Sequence, residues 1–263
     1  MLTVKNLRVH FYDAPENEYA VNDVSFSIDH GDILGLVGES GSGKTLTAMS
    51  IAGLLDTDRA SCSGSIILDG VDLLSLEPEQ LRRIRGRDIG VVFQEPMTAM
   101  NPVIKIGPQV EESLRIHTDL DKAARKAAAL DAMDAVELDD PETVYNKYPH
   151  ELSGGMLQRV MIAAAIISKP KMILADEPTT ALDVIIQAQI LQLLKKINSK
   201  RGTSILFISH NLNVVRKLCE RVCVMQGGIL VEEGPTEQIF RHPKQPYTQK
   251  LIAAIPTRDK KLR

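Results

Sequence analysis

Tryptophan is absent, cysteine occurs three times, and aromatic residues make up 4% of the 263-residue chain. Cys62, Cys219 and Cys223 are odd in number and form no repeated pair of the zinc or disulfide kind, which points to the cytosol. No apolar run approaches the ~20 residues a helix needs to span a bilayer, and Met1-Leu2-Thr3-Val4-Lys5 has no secretory profile. Membrane contact is therefore expected only through partner proteins. Neither sign of charge dominates: 31 basic and 34 acidic residues leave a formal charge of −3. That balance argues against nucleic-acid binding through a broad basic surface, so any anion must be held by a local site. The length suffices for one large domain or one domain with an insertion.

What is present alternates. Val24, Phe26 and Ile28, and parts of Leu2 to Val9, predict antiparallel strands closed by a turn at His30-Gly31-Asp32. Ile33 to Val37 is a short apolar run that feeds a glycine loop, and Leu46 to Leu54 continues with helical composition. Gly64 to Leu68 predicts a strand before an Asp69-Gly70 turn, and Ile89 to Phe93 a buried strand ending at Gln94. From about Pro96 to His150 strand signals vanish, while Asp121 to Leu138 carries apolar residues at helical spacing, which reads as a helical insertion. Met172 to Ala175 and Ser204 to Ile208 then predict strands separated by a helix over Val184 to Ile197. Val222 to Met225 and Ile229 to Glu232 flank a hairpin turn at Gln226-Gly227-Gly228. Strands alternating with helices imply an α/β fold with a mostly parallel sheet covered on both faces. The tail, ending Lys260-Lys261-Leu262-Arg263, is expected to dock with a frayed tip.

The glycine loop is Gly38-Glu39-Ser40-Gly41-Ser42-Gly43-Lys44-Thr45. Its glycines let successive N–H groups turn inward toward a polyphosphate, and the following helix adds its positive end. Lys44 is placed to reach the β- and γ-phosphates and Thr45 to ligate Mg²⁺. Asp176 and Glu177 stand where an apolar strand ends, the edge at which open parallel sheets bind ligands. There Asp176 can hold Mg²⁺ through water and Glu177 can act as general base on the attacking water. Gln94 and His210 also follow apolar strands, placing Gln94 to touch metal and water and His210 to donate to the γ-phosphate; either alone is more often a polar cap. Ser153 is a suitable N-cap for a helix over Leu157 to Ile167, and Gly154-Gly155 leave its first N–H groups open to an anion. Two helix N-termini would then compete for one triphosphate.

These residues, in this order, resemble the ATP-binding cassette ATPases over essentially the whole chain. The resemblance rests on the phosphate loop, Gln94, Leu152-Ser153-Gly154-Gly155-Met156, Asp176-Glu177, Thr180-Ala181-Leu182-Asp183 and His210. It implies a P-loop cassette fold: a RecA-like core with an antiparallel β part over residues 1–95 and 158–235, an inserted helical subdomain over 96–157 carrying the signature, and a short extension over 236–263. It implies ATP hydrolysis with Mg²⁺, and head-to-tail pairing in which Ser153, Gly154, Gly155 and Met156 of one cassette close over ATP held by another. Asp183 would connect the two sites, and Phe11 lies where the family stacks an aromatic on adenine, with Tyr12 and Tyr19 as substitutes and a core role for Phe11 as the other option.

Many members have glutamine where this chain has Met156. Met156-Leu157-Gln158-Arg159, Gln94-Glu95-Pro96-Met97-Thr98 and Pro246-Tyr247-Thr248 are similar to the peptide and nickel uptake branch. The resemblance implies an importer ATPase at the cytoplasmic face of the membrane, a second cassette as partner, two membrane-spanning subunits and, indirectly, an extracytoplasmic solute-binding protein. Peptide is the expected solute, nickel or a metal chelate the alternative. A soluble cassette acting on ribosomes or chromosomes is the alternative from another class, and nucleic-acid partners are not expected.

Overall fold

The computed structural model describes residues 1–180 and 182–255; Ala181, Pro256 and the basic tail tip lie outside the described residues. The chain begins with β1 (Leu2–Phe11), β2 (Val21–Ile28), β3 (Ile33–Val37), α1 (Lys44–Ala52), β4 (Ala60–Leu68) and β5 (Val71–Asp72). It continues through α2 (Pro78–Ile84), β6 (Ile89–Val92), α3 (Pro96–Ala99), α4 (Ile106–Val110), α5 (Glu112–His117), α6 (Lys122–Ala135), α7 (Pro141–Asn146) and α8 (Gly154–Ile166). After β7 (Met172–Asp176) come α9 (Val184–Arg201), β8 (Ser204–Ser209), α10 (Leu212–Leu218), β9 (Arg221–Gln226), β10 (Ile229–Pro235), α11 (Thr236–Arg241) and α12 (Pro246–Ala253). Two compact units divide these elements, one made of residues 1–28, 33–74 and 207 onward, the other of 29–32 and 75–206.

In the first unit β2, β1, β4 and β5 form, in that order, an antiparallel sheet. Leu2 pairs with Ile28 on one side and Leu68 on the other, and all three are buried, as the alternation predicts. The register of β1 against β4 slips once, near Asn6, whose left-handed φ of 48° is held by its N–H on Ser25 Oγ and its amide on Asp23. β3 is buried at every residue and runs parallel to β9, the environment that a continuous apolar run suits. β9 and β10 form the expected hairpin; Gly227 and Gly228, with φ of 54° and 83°, supply the two left-handed positions of its turn.

In the second unit β6 and β7 run parallel, with Ile89 opposite Met172 and Val92 opposite Ala175. The ladder stops there. Phe93, expected inside the strand, instead lies beyond the last pair and is 42% exposed. Among the described residues every element between β6 and β7 is helical. α6 starts where Asp121 accepts from the Ala124 N–H, and α7 opens at Pro141, whose missing N–H costs nothing in a first turn. α8 packs against α6, and Leu157, Val160 and Ile162 of the one and Ala129 and Met133 of the other are all buried. α9 runs four residues past the expected Ile197, to a Gly202 C-cap at φ 64°.

Candidate nucleotide site

The first unit holds the glycine loop between β3 and α1. A side chain at Gly38 would put a Cβ 2.2 Å from the Met225 carbonyl oxygen, so only glycine lets the loop leave the strand here. Lys44 is buried, and its Nζ donates to Gly38 O at 2.9 Å, Glu39 O at 2.7 Å and Ser42 Oγ at 3.3 Å. The ammonium is thus held over the loop by the backbone. Ser42 N–H closes a turn onto Glu39 O at 3.2 Å. No side chain caps the start of α1, whose N-cap is Gly43, and the space around Gly41 is open for 4 Å. Uncapped N–H groups, an open glycine face and a buried ammonium together suit a polyphosphate. Glu39, Ser40 and Thr45 are exposed.

His210 is exposed immediately after β8. The three aromatic candidates separate clearly. Phe11 closes β1 opposite Ala60 and is half-buried; Tyr19 meets His10 edge-on and carries Arg8 over its ring; Tyr12 is 59% exposed.

In the second unit the register of β6 and β7 brings Gln94 level with Glu177. Gln94 Nε2 donates to Glu177 Oε2 at 3.1 Å, and Thr180 Oγ1 donates to the same oxygen at 2.9 Å. Glu177 has φ 47°, uncommon for a side chain of its size, and directly follows the buried Asp176. Sequence reasoning quoted Thr180 within the Thr180-Ala181-Leu182-Asp183 loop but gave it no role in the site; a hydroxyl three residues after the Glu177 carboxylate was the available signal.

Farther along the same unit, Ser153 Oγ accepts from Met156 N–H at 3.3 Å, and Asp183 Oδ1 accepts from the N–H groups of Ile185 and Ile186 at 3.0 and 2.9 Å. These two capped helix starts share a cavity of about 400 Å³ lined by Ser153, Gly154, Gly155, Met156, Asp183 and Ile186, among others. The glycines differ: a Cβ at Gly155 would stand 3.0 Å from Ile186 Cγ2, whereas Gly154 faces open space.

Among the described residues no three His, Cys, Asp or Glu side chains are grouped to hold a metal ion. Within the second unit Gln94 and Asp176 offer oxygen donors with a single carboxylate, a donor type that suits Mg²⁺, which keeps waters and takes further ligands from substrate phosphates. Among the described residues no helix is long and apolar enough to cross a membrane.

A phosphate loop after a buried strand, with a carboxylate at another strand end, defines the class of P-loop nucleotide-binding α/β proteins. The family model described as ABC transporter matches residues 21–180, and the one described as oligopeptide/dipeptide transporter, C-terminal region, matches residues 231–263. The chain is 46% identical to the dipeptide transport ATP-binding protein DppD of Haemophilus influenzae, over 97% of this chain and 78% of that protein. It is 44% identical to the oligopeptide transport ATP-binding protein OppD of Bacillus subtilis, over 98% and 72%. Among solved structures, a dimeric ATP-binding cassette in a post-hydrolysis state with ADP and Pi superposes with a TM-score of 0.79 at 32% identity, covering 90% of this chain and 99% of that one. The chain belongs to the ABC transporter family and is an ATPase of its cassette type.

Proposed function

We propose that this ATPase energises a peptide importer from the cytoplasmic face of the membrane. The observation that carries the solute class is the match of residues 231–263 to the oligopeptide/dipeptide transporter C-terminal region, and the names of the DppD and OppD relatives support it.

In this reading the loop Gly38 to Thr45 holds the phosphates through its N–H groups, with Lys44 on the β- and γ-phosphates. Mg²⁺, when bound, neutralises charge building up on the phosphates; Thr45, Gln94 and Asp176 would hold it. Glu177 takes the proton of the attacking water as ATP and water become ADP and phosphate. The two donors on its Oε2 orient the carboxylate, and His210 donates to the γ-phosphate. Phe11 stacks on adenine, with Tyr12 and Tyr19 as the other candidates.

Ser153, Gly154, Gly155 and Met156 close over ATP held by a second cassette, and Asp183 links the paired sites. Support comes from the open cavity that Ser153, Gly154, Gly155 and Asp183 share and from the dimeric state of the similar cassette. The insertion, residues 96–157, would transmit closure to two membrane subunits; a groove of about 340 Å³ lined by Met100, Ile116, Glu112 and His117, among others, offers a mixed surface for such a contact. An extracytoplasmic binding protein would deliver solute.

The test is reconstitution with the membrane subunits and binding protein. Peptide-loaded binding protein should raise phosphate release several-fold. Stimulation by nickel and not by peptide would transfer the chain to metal-chelate uptake, and recovery with ribosomes in place of membrane proteins would defeat the transporter reading.

A further inference from the structure

The first peptide group of the phosphate loop is gripped at both ends within the first unit. Its carbonyl, that of Gly38, accepts from Lys44 Nζ at 2.9 Å, and its N–H, that of Glu39, donates to the Tyr247 hydroxyl at 3.0 Å. A peptide group is planar and stiff, so holding both ends fixes its orientation. The next carbonyl, Glu39 O, receives Lys44 Nζ at 2.7 Å as well. The position of the ammonium therefore depends on how this peptide is turned.

Tyr247 stands in the first turn of α12, 208 residues along the chain from Glu39. The helix is itself anchored. Glu232 of β10 accepts the backbone N–H groups of Lys244 and Gln245 at 2.8 and 3.1 Å, and Thr248, beside Tyr247, is 2% exposed. Burial raises the Tyr247 hydroxyl above its ordinary pKa.

We propose that Tyr247 is a positioning residue for nucleotide binding: its hydroxyl holds the Gly38–Glu39 peptide in the orientation that aims Lys44 at the phosphates, making the C-terminal helix a working part of the phosphate loop. The proposal rests on Gly38 to Thr45 being the loop that holds ATP.

The test uses the full chain and ATP in EDTA, where hydrolysis is blocked, with binding followed by calorimetry. Tyr247→Phe keeps the ring and removes the hydroxyl. It should weaken ATP binding roughly two- to tenfold, the scale of one neutral hydrogen bond, with the melting temperature nearly unchanged. With Mg²⁺, KM for ATP should rise in step while kcat at saturation stays within about twofold, because the group shapes binding and not the attacking water. Glu39→Pro deletes the N–H, and in that background Tyr247→Phe should change nothing further. Unchanged ATP affinity in Tyr247→Phe, or an equal loss in both backgrounds, overturns the positioning role and leaves the ATPase assignment intact. A wild-type chain that binds no ATP would remove both. Should Glu39→Pro not fold, Tyr247→Phe against wild type decides alone.

Discussion

Gln94 Nε2 lies 3.1 Å from Glu177 Oε2, a contact made possible by the pairing of Val92 with Ala175 two residues earlier on each strand. The amide comes from one strand end and the carboxylate from the next.

The first prediction concerns the carboxylate. Glu177→Gln should cut kcat by about 10²-fold or more, the usual range for losing a general base, while ATP still binds and a nucleotide-dependent dimer still forms. Phosphate release and light scattering measure the two effects. Unchanged turnover would remove Glu177 from its assigned role.

Thr180 shares Oε2 with Gln94. Thr180→Val, which keeps the shape and deletes the donor, should lower kcat roughly tenfold with KM unaltered, the scale of a hydrogen bond to a charged group. Thr180→Ser should restore most of the rate. A loss that serine does not rescue would trace the effect to packing.

Gly154 and Gly155 should fail in different ways. Gly155→Ala drives a methyl to 3.0 Å from Ile186 Cγ2, and the overpacking should cost about 1 kcal/mol or more. Adding Ile186→Val should recover part of it. Gly154→Ala meets nothing within 4 Å, so denaturation midpoints should not move, yet ATP turnover by paired cassettes should fall if an anion approaches there. Equal stability loss in both variants would contradict this division.

A pH dependence follows from Glu237, whose two carboxylate oxygens accept from Arg216 Nε and Nη2 at 2.8 Å, which lowers its pKa to about 2. A depressed carboxylate contributes stability that is present above the unfolded value and lost as pH falls toward the folded one. The stability gap between wild type and Glu237→Gln, read from urea midpoints, should therefore be narrower at pH 3 than at pH 6. The pair is exposed, so salt should shrink the gap at pH 6. A gap that widens on acidification would contradict the ion pair's direction.

Much of the fold was legible because its signals are local. The buried run of β3, the hairpin at Gly227-Gly228 and the cap at Ser153 each depend on a few neighbouring residues, and each appears at its expected place. Phe93 did not follow its composition, because burial depends on where the ladder to β7 ends and not on the side chain. α8 begins at Gly154, directly after the Ser153 cap, as an N-cap at that serine requires.

From the residues alone came the chemistry available: a phosphate loop, an Asp-Glu strand end, a capped glycine signature and a histidine after a strand, in an order that already pointed to a cassette ATPase. Folding decided which of these groups meet. Strand register joined Gln94 to Glu177, two helix starts brought Ser153 and Asp183 to one cavity, and a C-terminal helix set Tyr247 against the N–H of Glu39. Such contacts join residues far apart in the chain, and their geometry is set by packing and register, which motif spacing does not encode.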